Sequence, residues 1–341
     1  MLALPARRVL IVAALFFVAG CGGGSSTSGP LAPVSTAQVQ SRVSRSIVPN
    51  SFVHAGVPFL FGAPNRAARQ SGPGPSYLTN VALVFEADQS EAAVNVYKAG
   101  ALASNPAPIA TLALPVGCPY GMAMDKTGAL YVATNCSGNT VEEYPKGKTT
   151  PKVTITDGIS NPLGLTIDTA GTLYVSNYPG AITEYKFGKT SPSKTITGQG
   201  LTDPFGLALD AKGNLYVADF GASQVFEIPA GTSKVKPLGL QDLTEPLGVA
   251  IDPKNGDLWV TDGSGDKVNV YKEGSKTPSQ TITAGYTFPY AVSVYTTGST
   301  VVSNINSSPT ELYAYAPNTY TSYATVTNGV DLPTGVLWAK P

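Results

Sequence analysis

The chain has 341 residues, of which only 13% are charged, with 36 Gly, 28 Pro and a formal net charge of zero. That much Gly and Pro suits tight turns between short strands and excludes a protein built of long helices. The charge is unevenly divided: all six Arg precede residue 70, while from Ser76 onward 16 Lys face 22 acids, a net charge of −6 that excludes a nucleic-acid binder.

The N-terminus, MLALPARRVLIVAALFFVAGC, places Arg7 and Arg8 before an apolar run from Val9 to Ala19. The run is too short to span a bilayer and has the form of a secretory signal. Val18 to Cys21 (VAGC) resembles the bacterial lipobox. The resemblance implies a lipoprotein signal peptide over 1–20 and a lipid-modified Cys21 that holds the protein on a bilayer through acyl chains. Gly22 after the Cys, where Asp would retain the protein, points to the outer membrane in a Gram-negative cell. A plain secretory signal with a chance Cys is the other reading. Residues 21–75 then read as the lipidated Cys and a flexible tether, because Gly22–Pro75 contains no acid and carries runs such as GGGSSTSGP and SGPGP. Within it, SFVHAGVPFLFGAP (Ser51–Pro64) is apolar; docking on the folded domain and a loose linker both stay open.

Residues 76–341 form the folded domain, and a repeat runs through it. PYGMAMDKTGALYVATN starts at Pro119, PLGLTIDTAGTLYVSN at Pro162, PFGLALDAKGNLYVAD at Pro204, PLGVAIDPKNGDLWVTD at Pro246 and PYAVSVYTTGSTVVSN at Pro289, with a stub, PTGVLWAKP, at Pro333. The spacing of 42 to 44 residues, filled by short alternating strands, is that of a β-propeller blade. Each unit predicts four strands, such as GLALD, LYVAD, QVFEIPAG and a Thr/Val/Ile-rich edge such as KTITG. Asp125, Asp168, Asp210 and Asp252 open the turn between the first and second. A lone blade cannot cover both its faces, so stacking around an axis is required. Ala82 to Leu114 supplies a second, third and fourth strand without a first, and Thr334 to Ala339 a first strand with nothing after it. These ends complete one blade. The expected fold is all-β: a six-bladed propeller of four-stranded antiparallel blades, closed by N- and C-terminal strands in one composite blade.

The frame P-x-G-hydrophobic-x-hydrophobic-D-x-x-G-x-L-Y-V-x-D/N, over roughly Ser76 to Pro341, resembles the NHL-repeat and gluconolactonase-like six-bladed propellers. In gluconolactonase-type relatives the residue between Pro and Gly supplies Asn or Asp ligands to a catalytic divalent metal, which needs several oxygen donors. Here that entry ring is Tyr120, Leu163, Phe205, Leu247, Tyr290 and Thr334, without a carboxylate or amide. A second ring, at the ends of the second strands, is polar: Asp88, Asn135, Asn177, Asp219, Asp262 and Asn304. Its members either face the channel mouth and bind a ligand, or close Asx-turns. Tyr120, Phe205 and Tyr290 either stack on a sugar or peptide or plug the channel. Tyr97, Tyr144, Tyr185 and Tyr271 on the third strands read as packing between blades.

The sole His, His54, lies in the tether, so the domain has no imidazole for general-base work, and it has no Arg to clamp an anion. Cys118 and Cys136 flank one hairpin. If Met124 opposes Leu130, the same register sets Cys118 opposite Cys136, and an exported protein would oxidise the pair to a disulfide. The expectation is a monomeric, lipid-anchored bacterial envelope protein with no catalytic residue, metal or other cofactor. Its propeller would bind an envelope protein, peptide or glycan through the channel-mouth face, and no nucleic acid. The alternative is a periplasmic metal-dependent lactonase- or lyase-like enzyme drawing on Asp88, Asp219 and Asp262.

Overall fold

The structure is a computed structural model that describes residues 81–340 except 116, 137 and 306–308. The signal segment, Cys21, the tether and the 51–64 stretch lie outside the described residues. The described residues begin with β1 (Leu83–Asp88), β2 (Ala93–Lys98) and β3 (Ala110–Ala113), with a 3-10 turn at Ala99–Ser104. Four complete sets then follow that share one order. They are β4 (Cys118–Met124), β5 (Leu130–Asn135), β6 (Thr140–Tyr144) and β7 (Val153–Ile155); β8 (Pro162–Ile167), β9 (Leu173–Asn177), β10 (Ala181–Tyr185) and β11 (Lys194–Thr197); β12 (Pro204–Leu209), β13 (Leu215–Asp219), β14 (Gln224–Ile228) and β15 (Lys236–Pro237); and β16 (Pro246–Ile251), β17 (Leu258–Asp262), β18 (Lys267–Tyr271) and β19 (Gln280–Ile282). A fifth set, β20 (Pro289–Val294), β21 (Thr300–Asn304), β22 (Glu311–Tyr315) and β23 (Ala324–Val326), leads into β24 (Pro333–Ala339).

Each set is one four-stranded antiparallel sheet, and β24 pairs with β1 to give the order β24-β1-β2-β3. The fold is therefore a six-bladed propeller whose two chain ends lie in one sheet. Alternating side chains on each strand fill the seams between blades. One seam joins Phe85, Val94 and Leu112 to Met122, Val132 and Tyr144 of the next blade. Each such aliphatic side chain contributes about 1.5–3 kcal/mol by leaving water. The third-strand tyrosines Tyr97, Tyr144, Tyr185 and Tyr271 are buried in these seams. The hydroxyl of Tyr185 donates to Asp157 O and that of Tyr271 to Gln241 O, so the rings also pin the chain after the outer strand.

The first strand carries a feature that alternation alone does not show. Pro162 opposes Asn177, but Leu165 opposes Val175, so an extra residue sits at Leu163–Gly164. The same shift recurs after Pro119, Pro204, Pro246 and Pro289. This bulge bends the strand and turns the residue after Pro onto the hub. It also brings adjacent first strands close together. A Cβ on Gly164 would lie 2.1 Å from the carbonyl oxygen of Phe205 in the next blade, which is why Gly follows the entry residue. Ser176 and Thr261 bridge the same gap. Ser176 Oγ accepts from Gly164 N and donates to Phe205 O, and Thr261 Oγ1 does the same for Gly248 N and Tyr290 O.

The bulge also corrects the register expected at the cysteines. Met124 opposes Leu130, but beyond the bulge Cys118 opposes Asn135, not Cys136. The disulfide forms all the same, with Cα atoms 5.6 Å apart. Cys136 has a φ of 70°, so the chain turns there as it leaves the strand instead of continuing straight.

Candidate functional site: the hub and its two rings

The bulges gather the entry residues into one apolar cluster. Tyr120, Leu163, Phe205, Leu247, Phe288 and Tyr290 pack together with Cys118 at the hub. Phe205 stands edge-on to Tyr290 at 5.2 Å and to Tyr120 at 6.4 Å. The three aromatics named from the sequence are 2% (Tyr120), 6% (Phe205) and 8% (Tyr290) exposed. They plug the channel at the face where the chain enters each first strand. Burial pushes the phenols of Tyr120 and Tyr290 well above their ordinary range, so both stay neutral. Thr334, the sixth entry residue, donates to Pro119 O and joins the composite blade to its neighbour.

Around this plug the polar ring is also buried, and its oxygens meet the protein's own backbone. Asp219 Oδ1 accepts from Asp203 N at 2.9 Å, Ala222 N at 3.0 Å and Thr202 Oγ1 at 2.8 Å; Oδ2 accepts from Thr202 N at 2.8 Å. Asp262 accepts from Thr244 N and Glu245 N, Asn304 from Thr287 N and Phe288 N, and Asn177 from Ser160 N. Asp88 accepts from Asp331 N and from Ser90 N and Glu91 N. The pattern is regular: in five blades the side chain takes an N–H one or two residues before the entry Pro. Each thus clamps the segment arriving from the preceding blade, which would otherwise leave buried donors unpaired. Burial raises the Asp88 carboxyl above its ordinary value, and the N–H and hydroxyl donors pull against that rise.

Asn135 stands apart. Thr134, not Asn135, opposes Pro119, so Thr134 holds the equivalent place in the disulfide blade. Asn135 Oδ1 accepts from Cys136 N, and its Nδ2 is buried without a partner among the described residues. Asp125, Asp168, Asp210 and Asp252 lie at the opposite face. There each carboxylate accepts an N–H within its own turn, such as Lys212 N and Asn214 N for Asp210. Among the described residues, no three His, Cys, Asp or Glu side chains converge as a metal site.

Sequence reasoning missed the residues that lie over the plug. Tyr178 and Phe220 directly follow Asn177 and Asp219, and Ile305 follows Asn304. All three are half-buried and pack on the hub cluster. Tyr178 and Phe220 stack, with ring planes 8° apart and centroids at 6.4 Å, and Phe220 stands edge-on to Phe205 at 6.2 Å. The signal was the residue type one place beyond the polar ring.

No family model matches the chain, and no curated protein matches it. Many solved structures do. One, from a crystal structure of a nidogen/laminin complex, has a TM-score of 0.63 at 17% identity and covers 76% of this chain and 98% of its own. Another, a protein of unknown function from Bacteroides caccae, has a TM-score of 0.62 at 13% identity, with 76% and 100% covered. The likeness is one of fold: this chain is a six-bladed β-propeller.

Proposed function

We propose that the protein is an exported envelope lipoprotein, anchored through Cys21, whose NHL-like propeller is a non-enzymatic binding module. The hub face is its contact surface, and an envelope protein, peptide or glycan its partner. The observation that carries this reading is the stacked pair Tyr178–Phe220, half-buried on a rigid aromatic plug. Aromatic rings held on a fixed base lose little freedom when a partner covers them, which suits recognition. The ring of Asp and Asn beside the pair supports the same reading, because its oxygens already hold backbone N–H groups and so are committed to the fold. The test is a photo-crosslinking amino acid placed at Tyr178 or Phe220 in living cells. Phe187, which is exposed beside the turn glycine Gly171 on the opposite face, serves as control. Adducts at Tyr178 and Phe220 and none at Phe187 are expected. No adduct at either hub position, or equal adducts at Phe187, would overturn the reading.

A further inference from the structure

We propose that the central channel is a second binding site, open on the turn face, for a small uncharged amphiphile. The cavity holds about 250 Å³ and is walled by the first strands of all six blades, from Gly121–Met124 round to Thr334–Leu337. At the hub end its lining residues Leu163, Phe205, Tyr290 and Thr334 are buried. At the other end Met124, Ile167, Leu209, Ile251, Val294 and Leu337 are half-buried, so the channel opens there through an aliphatic rim. Drug-sized ligands occupy roughly 300–1,000 Å³, so the occupant is smaller.

The lining chooses the chemistry. It contains no Lys, Asp, Glu or His, and Thr166, Tyr290, Ser293 and Thr334 are its hydroxyl-bearing side chains. A charged ligand would lose its hydration with no counter-charge, which is prohibitive. Each first strand has one bonded neighbour, so its other edge turns peptide N–H and C=O groups toward the channel. A neutral polar head can bond to these edges while an alkyl tail covers the rim. The plug residues Leu163, Phe205 and Tyr290 close its inner end, so it opens away from the hub face, and it does not rest on the function proposed above.

Three methionines are present, and two of them, Met122 and Met124, line the channel. The full chain labelled with ¹³C at the methionine methyls is titrated with hexanamide, hexanoate and hexylammonium, which share a tail and differ in head charge. Hexanamide is expected to shift both methyls saturably, on the order of millimolar, and at least tenfold more tightly than either ion. Thr166→Phe, which fills the channel, is expected to abolish the shift. No saturable shift with hexanamide, equal shifts with all three compounds, or a shift that persists in folded Thr166→Phe would each overturn the proposal.

Discussion

Removing one clamp tests whether the polar ring serves the fold. Asp219 accepts four hydrogen bonds, three of them from backbone N–H groups of Thr202, Asp203 and Ala222. In Asp219→Ala those donors lose their acceptor, and the surroundings are partly buried, so water replaces it incompletely. At about 1 kcal/mol for each bond lost, the expected destabilisation is roughly 3–4 kcal/mol. For a domain of this size each kcal/mol moves the midpoint by about 2–4 °C, so Tm should fall by about 6–16 °C. Asp219→Asn gives an internal calibration. Three of the four bonds converge on Oδ1, which an amide oxygen can still serve, while the amide nitrogen meets Thr202 N–H as donor against donor. The Asn variant should therefore lose roughly half as much as the Ala variant. Calorimetric or circular-dichroism melts of the oxidised protein measure both. A Tm within 2 °C of wild type for Asp219→Ala would refute the clamp and return the carboxylate to the list of ligand-binding groups.

Other outcomes follow from the same geometry. Glu86 is fully buried on β1, one carboxylate oxygen has no partner among the described residues, and burial raises its carboxyl well above the ordinary range. The stability it contributes is complete below the unfolded carboxylate range and is lost as pH rises through the raised folded value. Glu86→Gln should thus be stabilising by about 1–3 kcal/mol at pH 8 and near neutral at pH 4, measured by denaturant melts. Reduction of Cys118–Cys136, whose 18-residue separation closes one hairpin, should cost roughly 3 kcal/mol in the same assay. Gly164→Ala forces a methyl against the Phe205 carbonyl and should cost about 1–3 kcal/mol, more than the same change at Gly188, where no atom lies within 4 Å but φ is positive.

The blade count and the closure were legible because both rest on periodicity. Strands alternate at two, blades repeat at 42 to 44, and the unmatched strands at the two ends find each other by subtraction. Local register was less legible. Pro-x-Gly conceals a bulge, and a bulge leaves no mark in a pattern of apolar residues; the disulfide pairing was reached through a register the strands do not adopt. The role of the polar ring was open for a different reason. Whether Asp219 faces a ligand or Thr202 depends on a segment 17 residues upstream, which no local motif describes. Asn135 was legible by count alone: LYVATN (Leu130–Asn135) is one residue longer than LYVSN and LYVAD, which puts Thr134, not Asn135, at the place of Asn177 and Asp219. Tyr178 and Phe220 were within reach, since each occupies the same place after the second strand, but only the burial of the entry ring makes that place the outer layer of the hub.

The account stands on the claim that oxygen donors around the hub hold backbone and not a cation. Isothermal titration of the full chain with Ca²⁺, Mg²⁺, Mn²⁺ and Zn²⁺ tests it directly. No saturable heat is predicted for any of the four. A one-site isotherm that disappears in a folded Asp219→Asn variant would contradict the claim and favour a metal-dependent enzyme.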